Sequence, residues 1–173
     1  MRTTRLSRRQ VLGAGMTGLA TSLCSIAVGG CSATAQPVGR SDRSGLMLAA
    51  QVAATAGDLA ARLESTAERH GRLREVLRPM SERHREHVRA FTPAGDVVRE
   101  RAGGRVPAAE HAALVDLLGR EQRAAAEARA AALRAGSGEL AGALASCAAC
   151  LAQHATVLTA AAAQDGVRKG GQR

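Results

Sequence analysis

The chain has 173 residues, 46% apolar and 23% charged, with a net charge of +9; this is the size and balance of a single globular domain rather than a disordered chain. Of its 24 basic residues 23 are Arg, 39 positions are Ala, and Phe91 is the only aromatic residue. Helix formers dominate and strand formers are scarce, so an all-α fold is expected and a β-sandwich or barrel is excluded. The lack of Tyr and Trp removes the stacking platforms of single-strand nucleic-acid binders, and the positive charge does not by itself indicate a nucleic-acid partner.

Residues 1–30 contain Arg2, Arg5, Arg8 and Arg9, no acid, and then a weakly apolar run from Val11 to Gly30 interrupted by five Gly. That is the pattern of a signal peptide, too polar for a strong spanning helix. Ser7-Arg8-Arg9-Gln10-Val11-Leu12 resembles a twin-arginine export signal, with Arg8 and Arg9 as its paired arginines. Val28-Gly29-Gly30-Cys31 resembles a bacterial lipobox, in which small residues admit a peptidase to the bond before a Cys that carries diacylglycerol through a thioether. Two or more acyl chains, at about 0.8 kcal/mol per buried methylene, suffice to hold a soluble domain on a membrane. The partners expected from this segment are the export machinery and membrane lipid, and the expected location is the extracytoplasmic face of the cell membrane. Removing residues 1–30 takes away four Arg and no acid, which lowers the net charge to +5.

Residues 31–44 follow as the lipidated Cys and a small, polar, Pro- and Gly-punctuated tether. Breakers then separate four helical stretches at about 45–69, 72–91, 107–135 and 138–164, and a basic tail at 166–173 is expected to be disordered. The first stretch carries Leu48, Val52, Leu59 and Leu63 at helical spacing. In the second, Leu73, Leu77, Met80, His84, His87 and Phe91 alternate by four and three, and Pro79 is expected to kink the helix or mark its start. The third opens with Pro107 at a favourable first position and turns Leu114, Leu117, Leu118, Glu121, Ala125 and Ala128 inward. The fourth repeats the four-three spacing through Leu140, Leu144, Cys147, Leu151, His154, Leu158 and Ala161. The simplest assembly over 45–165 is an antiparallel up-down-up-down four-helix bundle with a thin, Ala-rich core.

Metal-capable side chains lie within these apolar stripes: His84 and His87 on the second helix, Cys147, Cys150 and His154 on the fourth. With the second and fourth helices parallel, as that topology requires, His84 and Cys150 stand roughly 18–20 Å from their helix starts and His87 and His154 roughly 24 Å. Glu121 and Asp58, counted back along the other two helices, reach the same layer. Imidazole and thiolate donors suit Zn(II) or Cu better than a di-iron centre. Two other readings stand beside this one: Cys and His as inert core residues, and a redox role for Cys147-x-x-Cys150, which mid-helix geometry would strain as a disulfide.

The arrangement resembles the ferritin-like four-helix family, and with the N-terminal signals it is similar to twin-arginine-exported actinobacterial lipoproteins carrying such a domain. His84-Arg85-Glu86-His87 falls where that family's second-helix Glu-x-x-His lies, His154 matches the fourth-helix His, and Glu121 the third-helix acid. His84 replaces an acid, Leu151 occupies the position three before His154, and the first helix offers only Asp58 or Glu64. The resemblance thus implies the fold rather than ferroxidase chemistry.

The remaining signals are structural. Six Arg interleaved with Glu75, Glu82 and Glu86 on the second helix read as a solvated face. No phosphate loop, nucleophile elbow or paired-carboxylate hydrolase motif is present. The function expected from the sequence is that of a membrane-anchored helical binding protein, with a non-enzymatic interaction module as the alternative and a redox or oxidase enzyme third. The sequence names no protein partner.

Overall fold

A computed structural model of the chain describes residues 43–93, 96 and 105–170. The export motif with Arg8 and Arg9, the lipobox Val28, Gly29 and Gly30, and Cys31 lie outside the described residues. The fold is all-α: α1 (Arg43–Arg69), a single 3-10 turn at Gly71–Leu73, α2 (Arg74–Phe91), α3 (Glu110–Arg134) and α4 (Gly138–Gly170). Helix α1 starts at Arg43, two residues before its expected start at Gly45. Helix α4 continues through Gly170, so residues 166–170, expected to be disordered, belong to the helix.

Two start and break signals act differently from expectation. Pro79 sits inside α2 without ending it. The carbonyl it leaves unpaired, that of Glu75, lies with Pro79 on the exposed face where water can serve it. Pro107 does not start α3. Its carbonyl oxygen instead lies 3.0 Å from His70 Nε2, and Ala109 is extended before the helix begins at Glu110.

The four helices form a bundle in which α1 packs along α2, α3 along α4, and α1 closely against α3. Small side chains make that approach possible: Ala49, Ala53, Ala124, Ala128 and Ala131 fill one end of the core. The other end is built from larger groups, Leu63, Leu77, Met80, Leu114, Leu117 and Leu158.

These two clusters also fix the direction of each helix. The first joins the start of α1 to the ends of α2 and α3 and the start of α4, through Val52, Phe91, Ala131 and Leu140. The second joins the end of α1 to the starts of α2 and α3 and the end of α4, through Ala67, Leu73, Leu114 and Ala162. Helices α2 and α3 therefore run parallel to each other and antiparallel to α1 and α4. The connectivity is up-down-down-up rather than the expected up-down-up-down, and residues 92–109 join opposite ends of the bundle. The returning end of this connection is fixed by Arg62 of α1. Its guanidinium donates to Asp116 Oδ2 at 3.0 Å (Nε) and 2.6 Å (Nη2), and to the Arg105 carbonyl at 3.3 Å.

Within α4, the segment Gly138–Gly166 is long and apolar enough by composition to cross a membrane, with a mean hydropathy of 1.4. A core helix of a bundle meets the same criterion, and Leu140, Leu144, Cys147, Cys150, Leu151 and Leu158 of this helix are buried.

Candidate metal centre

Parallel α2 and α3 bring two polar residues to one height. His84 is ten residues into α2 and Glu121 eleven into α3, so both lie about 15 Å from the same end of the bundle. Both are fully buried, and His84 Nε2 lies 2.7 Å from Glu121 Oε1. Helix α4 supplies His154 from the opposite side, with Nδ1 3.6 Å from the same carboxylate oxygen, beyond hydrogen-bonding reach. The rings of His84 and His154 meet edge to face with centroids 5.1 Å apart. Ligand atoms of His84, Glu121 and His154 all fall within 4.8 Å of one another, the one such grouping among the described residues.

The electrostatics favour an ionised carboxylate. Burial raises the Glu121 pKa, but the neighbouring His154 and His84 outweigh that penalty and hold it below the ordinary value. An ionised carboxylate only accepts, so the proton of the short contact is on His84 Nε2. His84 Nδ1, Glu121 Oε2 and His154 Nδ1 are then buried without a hydrogen-bond partner in the protein, as is His87 Nδ1. Buried polar atoms are paired in the large majority of cases, so four unpaired ones on neighbouring residues are unusual for core packing.

The other residues expected at this layer divide. His87, one turn along α2, borders the cluster, its ring centroid 6.0 Å from that of His84, and is only partly buried. Burial, followed by His84, His154 and Arg83, lowers its pKa to about 4 against the opposing pull of Glu121. Cys150 is buried with Sγ 3.7 Å from His154 Nε2. Cys147 is not part of the group. It lies in the apolar cluster with Leu59, Ala128 and Leu151, and burial, together with the charge of Glu121, raises its thiol pKa to about 12. Neither Cys147 nor Cys150 is in a disulfide. Asp58 also stands apart, lining a surface groove with Thr55, Arg120, Arg123 and Glu127. The expected layer thus contracts to three residues, with His87 and Cys150 beside them.

One carboxylate and two imidazoles match a zinc donor set with a coordination position left open. Bonds of about 2.0–2.2 Å at tetrahedral angles place N and O donors about 3.4 Å apart. The 3.6 Å contact of His154 already meets that spacing. The 2.7 Å contact of His84 must open by about 0.7 Å as an ion replaces its proton. A di-iron centre fits poorly, because such sites bridge their ions with several carboxylates and no carboxylate is among the buried residues of α1.

Comparison with protein-family models, with curated proteins and with solved structures finds no match. Function is therefore to be read from the site itself.

Proposed function

We propose that this chain is a cell-envelope lipoprotein whose helical bundle binds one transition-metal ion, Zn(II) or copper, through His84, Glu121 and His154. The observation that carries the reading is the convergence of buried, unpaired polar atoms on these three residues. Export through the twin-arginine route, guided by Arg8 and Arg9, delivers the domain already folded. Acylation of Cys31 holds it at the outer face of the membrane. The single long return between α2 and α3 supports a ferritin-like connectivity, since such folds contain one crossover of this kind. The donor set supports binding rather than oxidase chemistry.

A second reading is favoured by one contact. His84 and Glu121 satisfy each other at 2.7 Å, as a polar pair retained only for the uniqueness of the core would do. Thermal melting with added Zn(II) separates the two. At a hundredfold excess over Kd, binding adds about 2.7 kcal/mol, or about 10 °C in a domain of this size. That shift is expected for the wild-type chain and is expected to disappear in His84→Ala and Glu121→Ala. A wild-type melting temperature indifferent to Zn(II) and to copper would leave only the structural pair.

A further inference from the structure

The ring of His154 is addressed from two edges. Its Nδ1 is turned inward, 3.6 Å from Glu121 Oε1, while Nε2 lies 3.7 Å from Cys150 Sγ. Cys150 and His154 are four residues apart on a regular helix, so the second spacing is set by the backbone rather than by a mobile loop. A tetrahedral ion with bonds of about 2.05 Å to nitrogen and 2.3 Å to sulfur holds those donors about 3.6 Å apart. The observed 3.7 Å meets this with almost no movement.

Access points to His154. The side chains of His84 and Glu121 have no solvent exposure, whereas that of His154 is 11% exposed. His154 Nδ1 is buried, as is the contact between Nε2 and Cys150 Sγ, so both positions lie just beneath the part of this residue that meets solvent. An ion arriving from solvent meets His154 before either of the other two ligands.

We propose that Cys150 Sγ and His154 Nε2 form a receiving position for a soft or borderline transition-metal ion, which then passes around the His154 ring to the inner set of His84, Glu121 and His154 Nδ1. This rests on the reading of those three residues as a metal set and makes the ion a cargo handed between two positions rather than a fixed cofactor. Protons balance at each step. Cys150 gives its thiol proton to solvent as the metal–sulfur bond forms, and regains one when that bond breaks. The His154 ring proton, on Nδ1 while Nε2 holds the ion, exchanges to Nε2 on transfer, and the His84 proton moves through solvent from Nε2 to Nδ1, so that the ring stays neutral and Nε2 is freed for the ion. The thiolate also selects, because sulfur donors favour Zn(II) and Cu(I) over Mg(II) and Ca(II).

The test is rapid mixing of the full chain with Co(II), in a background where Cys24, Cys31 and Cys147 are Ala so that Cys150 is the only thiol. A thiolate-to-cobalt charge-transfer band is expected first, decaying as the ligand-field bands of a nitrogen and oxygen site grow, with one ion per chain at saturation. Cys150→Ala and Cys150→Ser are expected to lose the first phase and load at least about tenfold more slowly, with equilibrium affinity kept within about twofold. His84→Ala is expected to keep the first phase and lose the second. Cys150 variants that load at the original rate would overturn the handover. So would a thiolate band that persists at equilibrium, or two ions per chain. A chain that binds no Co(II) in any phase would instead remove the underlying metal reading, while failure of the thiolate phase alone leaves the inner set standing.

Discussion

His84 Nε2 donates to Glu121 Oε1 across 2.7 Å between two parallel helices, with both side chains fully enclosed. Removing one member leaves the other buried without compensation, at a cost of about 3 kcal/mol, whereas replacing both with apolar groups of similar volume is close to neutral. Urea unfolding of the metal-free protein should therefore show large losses for His84→Leu and for Glu121→Leu alone. The double variant should fall within about 1 kcal/mol of the wild type, yet bind no Zn(II). A double variant that still binds would place the ion elsewhere.

Acid should destabilise the metal-free fold in two stages. His87 titrates at about 4 in the folded state against 6.5 when exposed, so between those values the unfolded chain holds the extra proton and stability falls as pH falls. The contribution is on the order of 2 kcal/mol after discounting for partial exposure. Glu121 and Asp116 are held below their ordinary values, so the stability they contribute is present above the unfolded-state pKa and is lost as pH drops through the folded one. Urea midpoints should decline from pH 7 to pH 4 and further below pH 4, and His87→Gln should flatten the first part of the decline without changing the second.

Cys147 should be inert while the protein is folded. With its pKa raised to about 12 and its side chain buried, almost no thiolate exists at pH 8. Iodoacetamide labelling followed by peptide mass analysis should find Cys147 unmodified in the native protein and fully modified in urea.

The Arg62 guanidinium, only 4% exposed, is paired with Asp116. Asp116→Ala should cost about 2 kcal/mol, because it removes the carboxylate that faces a buried cation at the point where the crossover returns. Arg120, which also pairs with Asp116 but lies 39% exposed, should contribute less than about 1 kcal/mol on substitution by Ala. A double-mutant cycle on each pair separates the two contributions.

The helices and their inward faces were legible in the sequence because a four-three spacing of Leu, His and Cys has no other economical use. Their directions were not. Residues 92–109 contain turn formers that suit either a local reversal or a return along the bundle, and periodicity carries no information on that choice. Glu121 and His84 share a layer in either topology, since both sit near the middle of their helices and midpoints coincide. Cys147 was misplaced for a related reason: at i−3 from Cys150 it shares the broad inner face, but the rotation between those two positions turns it toward α1 and α3 and into the apolar cluster. The extended end of α4 escaped because Gly166 reads as a breaker, although a lone Gly costs a helix only about 1 kcal/mol.

The most direct measurement is elemental analysis of the folded protein purified without a histidine tag or chelator. The account expects close to one zinc or copper ion per chain, retained through gel filtration and absent from the His84→Ala/Glu121→Ala variant. Wild-type protein that carries no transition metal, and takes up none when Zn(II) or copper is supplied, would contradict it.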